Sequence, residues 1–198
     1  MSQEHEMGTL SVVTGCMFSG KSEELIRQLR RAVIAKKAIH VFKPSSDTRS
    51  GTDRTVSHSR LEVPATSVDD PTYILKSNSA HGTGITDWVW DADVVGIDEA
   101  QFFDHRIVEV VDTLVSWGKQ VIVAGLDLDY RAEPFGSMPV IMAKADHVTR
   151  LTAVCTICGQ PAIRTQRLSD SKAEVEIGGA DKYAARCRRH FDPGTGPI

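Results

Sequence analysis

Eight contiguous residues near the start of the chain, Gly-Cys-Met-Phe-Ser-Gly-Lys-Ser, have the spacing GxxxxGK[ST] of a phosphate-binding loop. Its glycines let backbone N–H groups turn inward onto phosphate oxygens, Lys21 reaches the β- and γ-phosphates, and the Ser22 hydroxyl ligates Mg²⁺. A chance match in 198 residues has a probability on the order of 1%. We predict that the whole loop binds the phosphates of ATP: Gly15, Cys16, Met17, Phe18, Ser19, Gly20, Lys21 and Ser22.

Two carboxylates, Asp98 and Glu99, directly follow the apolar run Val-Val-Gly-Ile at residues 94–97. Open α/β sheets bind their ligands at the carboxyl ends of strands, where these two side chains would lie. We predict that Asp98 ligates Mg²⁺ and that Glu99, beside the γ-phosphate, acts as a general base. A solvated turn that happens to carry two acidic residues is the alternative, and the phosphate-binding loop upstream argues against it.

Two Cys/His pairs near the end of the chain have the spacing of metal half-sites. Cys155 and Cys158 form one pair, Cys187 and His190 form the other, and 28 residues, 159–186, separate them. Three thiolates and one imidazole make a closed tetrahedral Zn²⁺ site without an open position, so we predict a structural zinc ion. Disulfides among the three cysteines are the alternative. Cys16 lies in the phosphate-binding loop and is not expected to be a ligand.

The elements that must position these residues are indicated by the hydrophobic pattern. Nearly continuous apolar runs predict strands at residues 9–14, 38–42, 94–97, 120–126 and 147–154. Helical spacing predicts helices from residue 22 onward, at 107–117 and at 138–145. Strands that are apolar throughout and alternate with helices predict an α/β fold with a mainly parallel sheet covered on both faces. Residues 45–71, rich in Ser, Thr, Asp and Gly, are predicted to form a long, poorly structured loop.

Composition limits the function classes. Apolar residues make up 41% of the chain, which is enough for a sizeable core. The formal net charge of -3 argues against a broad basic surface for nucleic acid. No apolar run approaches the roughly 20 residues of a membrane span, and the polar, acidic N-terminus has no apolar signal segment. We expect a cytoplasmic protein that binds neither nucleic acid nor membrane.

Several short segments occur in an order and spacing that resemble the type II thymidine kinases. They are GCMFSGKS, GIDEAQFF at 96–103, the segment 127–136 ending in PFG, LTAVCTIC at 151–158, and GGADKY at 178–183 before CRRH. The resemblance, over roughly residues 8–190, implies a RecA-like P-loop ATP-binding domain at 1–150 and a zinc-binding lobe at 151–198. That lobe would carry a lasso loop, at about 165–183, which closes over the nucleoside. The implied reaction transfers the γ-phosphate of ATP to the 5′-hydroxyl of thymidine, and also of deoxyuridine.

The resemblance also implies roles for individual residues. Glu99 matches the catalytic base of the family, and Arg60 is placed at the phosphates. The positions that match the nucleoside pocket are Met17, Phe102, Leu126, Tyr130, Thr165, Ile177, Gly178 and Tyr183. Family members are tetramers inhibited by dTTP, so a homotetramer with this feedback inhibitor is expected. This chain departs from some members at four positions. Ser59 stands where they carry an acid, Glu174 and Glu176 stand where they carry apolar residues, and His190 stands where they carry a cysteine.

Two other functions use the same motifs. A RecA-like ATPase or helicase-type motor would use Glu99 to activate water, but the short chain and its acidic balance argue against it. A zinc-ribbon nucleotide-binding module would need no catalysis, and the intact phosphate-binding loop with its paired carboxylates argues against it. Hydrolysis of ATP stimulated by single-stranded DNA would favour the motor, whereas a lack of nucleoside-dependent turnover would favour the binding module.

Overall fold

The structure is a computed structural model that describes residues 7–46, 54–56, 62–76, 87–169 and 178–193. Its helices are α1 Lys21–Ile34, α2 Asp87–Asp91, α3 Arg106–Ser116 and α4 Met138–Lys144. Its strands are β1 Thr9–Thr14, β2 Ile39–Pro44, β3 Arg54–Val56, β4 Glu62–Pro64, β5 Thr66–Val68, β6 Val94–Ile97, β7 Gln120–Gly125, β8 His147–Arg150, β9 Ala153–Val154, β10 Pro161–Ala162, β11 Arg164–Arg167 and β12 Tyr183–Arg186. Short 3₁₀ turns cover Pro71–Ile74, Ala100–Phe102 and Arg188–His190.

Six strands form one sheet in the order β5-β2-β6-β7-β1-β8, and every pair in it is parallel. Strand β7 separates β6 from β1, with Ile97 opposite Val123 on one side and Thr14 opposite Gly125 on the other. Parallel strands present all their carboxyl ends at one edge. The predicted α/β class with a mainly parallel sheet is confirmed.

Both faces of this sheet are buried, which explains why its strands are apolar throughout. Along β1, Val12 packs into the core on the α3 and α4 face, whereas its neighbour Val13 packs into the core on the α1 face. Helix α3 buries Ile107 and Leu114 against the first of these faces. Burying one such side chain stabilises the fold by about 1.5–3 kcal/mol, so the two cores fix the sheet on which the site is built.

Helix α1 begins at Lys21, one residue before the predicted start, and ends at Ile34. Its first turn carries Glu23 and Glu24, whose charges favour a helix N-terminus. It buries Leu25, Ile26, Leu29 and Ala32. Val33 lies at helical spacing from Leu29, which predicts a place on the same apolar face, but the side chain of Val33 is 52% exposed.

The prediction of a poorly structured loop at residues 45–71 was wrong in part. Strands β3 and β4 pair as an antiparallel hairpin, and β5 joins the main sheet beside β2. Val63, Ala65 and Val68 are buried there. Strands of three residues are too short for hydrophobic alternation to reveal them among polar neighbours. The predicted strand at 147–154 is also interrupted: Leu151 N donates to Thr14 O, after which β9 leaves the sheet.

The last part of the described chain, residues 151–169 and 178–193, forms a small unit that we call the C-terminal lobe. It contains two antiparallel pairs, β9 with β10 and β11 with β12. The lobe has a buried cluster of small side chains, which also includes Cys16 of the phosphate-binding loop. The residues that the lobe contributes to this cluster are Ala153, Cys155, Ala162 and Ala185. Among the residues described, no helix has both the length and the apolar character of a membrane span.

Candidate functional site

The phosphate-binding loop runs from the end of β1 to the start of α1, and its backbone needs glycine at both ends of the motif. Gly15 has a φ of 145°, and a Cβ there would lie 2.5 Å from Leu151 O and 2.8 Å from Ser19 Oγ. Gly20 adopts the left-handed conformation, with φ 84°, immediately before Lys21 begins the helix. Gly15 therefore has no room for a side chain, and the backbone conformation of Gly20 favours glycine. Glycines at these positions let the loop pass tightly around a phosphate group.

Polar groups of this loop suit an anion. Lys21 Nζ donates to Cys16 O at 2.9 Å, so its ammonium group lies over the loop. The hydroxyl oxygen of Ser19 is buried and has no hydrogen-bond partner among the described residues. A buried polar group of this kind needs a partner, and a phosphate oxygen would supply one. The N-terminal amides of α1, a helix of 14 residues, add partial positive charge at the same place.

The two predicted carboxylates follow β6. Asp98 is 5% exposed, its N–H donates to Phe42 O at 2.9 Å, and its Oδ1 accepts from Glu99 N at 2.9 Å. Glu99 has left-handed backbone angles, φ 50° and ψ 40°. Non-glycine residues rarely adopt this conformation, and such strain is concentrated at functional sites. Two hydrogen bonds with backbone groups thus hold Asp98 in place.

The sheet topology brings these two motifs to the same place. The loop follows β1, the carboxylates follow β6, and β7 lies between the two strands. All three strands are parallel, so Gly15, Asp98 and Leu126 follow strand ends at the same edge of the sheet. The end of β2 adds Lys43, which is 1% exposed and which the sequence interpretation missed. This edge is the position at which open α/β sheets bind ligands.

Several predicted nucleoside-pocket residues lie around this edge. Phe102 meets Phe135 edge to face, with ring centroids 5.6 Å apart. Leu126 is 7% exposed. Met17 N donates to Thr165 Oγ1 at 3.0 Å, so one pocket candidate on the loop directly contacts another on β11. The structure thus brings Met17 together with Thr165.

A second group of pocket candidates is joined by Arg167, which the sequence interpretation did not single out. The Arg167 guanidinium lies 3.5 Å from the ring centroid of Tyr130 and donates through Nη2 to Tyr183 Oη at 3.2 Å. Arg167 is only 4% exposed, so its charge is stabilised by these aromatic rings. No local sequence signal marks it, because Tyr130 and Tyr183 are distant in the chain.

Three predicted site residues need separate mention. Gly178 is described, and a Cβ there would lie 2.5 Å from Lys182 Cδ. Ile177 and Arg60 lie outside the described residues. Their predicted contacts with the nucleoside and the phosphates remain predictions.

A further buried carboxylate lies after β7. Asp127 is 6% exposed and forms an ion pair with Arg150 at the end of β8, with 2.6 Å between Nη2 and Oδ2. This pair joins the segment after β7 to the strand that leads into the C-terminal lobe. It stabilises the same edge of the sheet at which the loop and Glu99 lie.

The four predicted zinc ligands form one cluster whose donor atoms all lie within 4.8 Å of one another. Cys158 Sγ lies 3.8 Å from Cys187 Sγ, and His190 Nδ1 lies 3.8 Å from Cys155 Sγ and 3.4 Å from Cys187 Sγ. Thiolates held tetrahedrally at about 2.3 Å from one metal ion lie about 3.8 Å apart. The donor set and its spacing therefore fit a single tetrahedral metal ion.

The cysteines of the chain differ in their electrostatic surroundings. Burial opposes ionisation of Cys155, but the backbone N–H groups of Cys187, Ile157 and Cys158 outweigh it and lower its pKa to about 5. Burial raises the pKa of Cys16, whose Sγ donates to Ala162 O at 3.3 Å. Cys16 is not among the four residues of the cluster.

The chain is similar in sequence to known thymidine kinases. The family model described as thymidine kinase matches residues 8–191. A thymidine kinase from Coprothermobacter proteolyticus is 50% identical over 191 residues, covering 93% of this chain and 91% of that protein. One from Rhodothermus sp. is 48% identical over 187 residues, covering 94% and 83%. A solved structure of Pif1 helicases matches 75% of this chain and 40% of the helicase chain, with a TM-score of 0.40 and 15% sequence identity. This similarity is too low to assign a function. The chain belongs to the thymidine kinase family.

Proposed function

We propose that this chain transfers the γ-phosphate of ATP to the 5′-hydroxyl of thymidine, giving dTMP and ADP, and that deoxyuridine is a second acceptor. Membership of the family makes the chain a phosphotransferase that acts on thymidine. One observation carries the assignment of residues: the phosphate-binding loop after β1 and the carboxylates after β6 lie at the same edge of a parallel sheet.

In the proposed reaction, the loop amides and Lys21 hold the triphosphate and stabilise the charge on the transferred group. Ser22 and Asp98 would hold Mg²⁺, which neutralises phosphate charge when it is bound. Glu99 accepts the proton of the 5′-hydroxyl as the bond from that oxygen to the γ-phosphorus forms and the bond from the γ-phosphorus to the β,γ-bridging oxygen breaks. Arg60 is assigned to the phosphates. Catalysis is then mostly positioning and electrostatic stabilisation.

The nucleoside is proposed to bind between the sheet edge and the C-terminal lobe. Contacts between the two sides support this, since Met17 N is bonded to Thr165 Oγ1 and Arg167 joins Tyr130 to Tyr183. The proposed lining is Met17, Phe102, Leu126, Tyr130, Thr165, Ile177, Gly178 and Tyr183. Residues 165–183 would act as the lasso that covers the base.

We assign zinc to the cluster of Cys155, Cys158, Cys187 and His190, in a structural role. Three thiolates and one imidazole are the donors that zinc prefers, and they leave no open position for chemistry. The small buried cluster of the lobe supports a folding role, because alanines bury little apolar area. We also propose that the domain boundary lies near residue 150, where the chain leaves the main sheet.

Four further properties are proposed: a homotetramer and inhibition by dTTP, from family membership, and a cytoplasmic location and the absence of a nucleic-acid partner, from the composition of the chain. Two alternative functions make different predictions about turnover. A RecA-like ATPase would hydrolyse ATP with water and respond to single-stranded DNA, and a zinc-ribbon nucleotide-binding module would show no turnover. Nucleoside-dependent transfer distinguishes the kinase from both.

The test is to incubate the protein with ATP, Mg²⁺ and each deoxynucleoside in turn and to measure monophosphate product. We expect product with thymidine and deoxyuridine, and no stimulation of ATP hydrolysis by single-stranded DNA. Lys21→Ala should abolish transfer, because it removes the charge that faces the phosphates. Lys144→Ala is the matched control, since Lys144 forms an exposed ion pair with Asp112. Full transfer by Lys21→Ala at saturating ATP would contradict the assignment of the loop.

A further inference from the structure

Gln101 is a buried residue whose side chain joins Glu99 to the end of β7. It lies in the 3₁₀ turn Ala100–Phe102 and is 3% exposed. Its Nε2 donates to Glu99 Oε2 at 2.5 Å, and its Oε1 accepts from Leu126 N at 2.9 Å. We propose that Gln101 is a positioning residue, which orients the Glu99 carboxylate relative to the wall of the nucleoside site. This inference rests on the proposed role of Glu99 as the base.

The orientation of the Gln101 amide is fixed by its partners. A backbone N–H can only donate, so the group that faces Leu126 N must be the amide oxygen. The amide nitrogen therefore faces Glu99, and it can only donate. The donated hydrogen bond holds one oxygen of the Glu99 carboxyl group in a defined place. Leu126 thus determines, through Gln101, that Glu99 receives a donor.

Close packing prevents Gln101 from moving. A Cβ at Gly125 would lie 2.8 Å from Gln101 Oε1, and a Cβ at Gly136 would lie 2.5 Å from Gln101 O. Both glycines therefore leave room for the residue, one for its amide and the other for its backbone. Gly136 also has a φ of 51°, which favours glycine independently. Two other segments of the chain, one at Gly125 and Leu126 and one at Gly136, therefore converge on this one glutamine.

The Glu99 carboxylate benefits from such a support because the Glu99 side chain alone allows several positions of this group. Its backbone is in the left-handed region, and its side chain has several rotatable bonds and is only partly buried. A charge-assisted hydrogen bond from an immobile donor selects one placement of the carboxylate. Since the donor is tied to Leu126, a residue of the proposed nucleoside pocket, the carboxylate is placed relative to the substrate as well.

The test uses Gln101→Met, which nearly preserves volume and removes both hydrogen bonds. We expect kcat to fall about 10–100-fold, since small misplacements of a reacting group have effects of this size. The KM for ATP should stay within about twofold, because the phosphate-binding loop is not altered. Gln28→Met is the matched control: Gln28 Nε2 also donates to a glutamate, Glu24, at 2.9 Å, but on α1. It should leave kcat unchanged.

Gln101→Glu separates the two hydrogen bonds. It keeps an acceptor for Leu126 N and replaces the donor to Glu99 by a second carboxylate. If orientation of Glu99 is the role, this variant also loses kcat; if it keeps wild-type kcat while Gln101→Met loses it, Gln101 only supports the chain at Leu126 and the inference is overturned. Should Gln101→Met fail to fold, which circular dichroism shows, Gln101→Glu decides the question alone.

A double mutant distinguishes this inference from the proposed function. Residues that act as a unit have non-additive effects on kcat. Gln101→Met should therefore produce no further loss in the Glu99→Gln background. Wild-type turnover by Glu99→Gln would overturn the base role and this inference together. A loss in Glu99→Gln without any loss in either Gln101 variant, or fully additive losses, would overturn the inference alone.

Discussion

The parallel sheet and the C-terminal lobe are stabilised in different ways, although they meet at the same site. The sheet buries branched apolar side chains on both faces, among them Val95 and Ile97 on one face and Ile122 on the other, none of which is exposed. The lobe buries mainly alanines and cysteines, such as Ala162 and Ala185. Each buried methylene contributes about 0.8 kcal/mol, so alanines give the lobe little apolar stabilisation. We therefore expect the fold of the lobe, more than that of the sheet, to depend on the metal ion proposed for its Cys/His cluster.

The residues proposed for catalysis and for nucleoside binding are likewise divided between these two regions. The phosphate-binding loop, Asp98 and Glu99 follow strands of the sheet, and they are placed by its register. Thr165 and Tyr183 belong to the β11–β12 pair of the lobe. In the proposed function, ATP and the reacting groups are therefore held by the sheet, and the nucleoside is held in part by the lobe, for which a structural metal is proposed. The predictions below act on one region, on the other and on the contact between them.

The largest effect should come from the sheet side. Glu99→Gln removes the proposed base while preserving volume, and we expect kcat to fall about 10²–10⁴-fold. Binding of ATP and thymidine, measured by calorimetric titration, should stay near normal, because the loop and the lobe are unchanged. Glu109→Gln, which changes an exposed glutamate on α3, is the control and should keep wild-type turnover. An unchanged kcat in Glu99→Gln would remove Glu99 from this role.

Loss of the metal should act mainly on the lobe side. Removing Zn²⁺ with a chelator, or Cys187→Ser, should lower the affinity for thymidine at least about tenfold more than the affinity for ATP, because a metal clip closes the segment that carries the nucleoside contacts. ATP affinity should fall modestly, since Cys16 and Met17 contact the lobe.

Calorimetric titration of both ligands tests this prediction, with circular dichroism to check that the sheet survives. His190→Cys keeps a closed donor set and should retain both metal and thymidine affinity. An equal loss of both ligands by the metal-free protein, with the sheet intact, would show that the metal does not serve the nucleoside side in particular.

The smallest effect should come from the contact between the two regions. Thr165→Val preserves shape but removes the acceptor for Met17 N. Losing one hydrogen bond costs about 0.5–1.5 kcal/mol, so the dissociation constants for ATP and thymidine should each rise about 2–10-fold. Thr165→Ser keeps the oxygen and should bind both ligands like the wild type. A change in thymidine affinity alone would show that the hydroxyl serves the pocket without joining it to the loop.

The sequence was sufficient to predict those parts of the candidate site whose residues lie close together in the chain. The residues of the phosphate-binding loop are contiguous, so their spacing alone indicates a phosphate site. Cys155 and Cys158 have the spacing C-x-x-C, which alone indicates a metal half-site. Asp98 and Glu99 were identifiable because an apolar strand precedes them. The main sheet was predictable for the same reason, since burial on both faces leaves continuous apolar runs.

The remainder depends on contacts between distant segments. Gln101 lies within a recognisable run, but its partner Leu126 lies 25 residues away, and only the sheet register brings them together. Arg167 between two tyrosines is a similar case. Strand β5 escaped prediction because its three residues pair with β2 rather than with their neighbours in sequence. Local patterns contain no information about such pairings.

The β11–β12 pair has a consequence for how the length of the proposed lasso can vary. The chain leaves the pair after Arg167 and returns opposite it at Tyr183, and the two residues are joined by a hydrogen bond between their side chains. The ends of the intervening segment are therefore fixed by the pair and not by the segment itself. Doubling the length of such a closed loop adds only about 0.6 kcal/mol of closure entropy. Insertions and deletions between these two residues can thus accumulate with little cost in folding, while the tyrosine and the arginine keep their places.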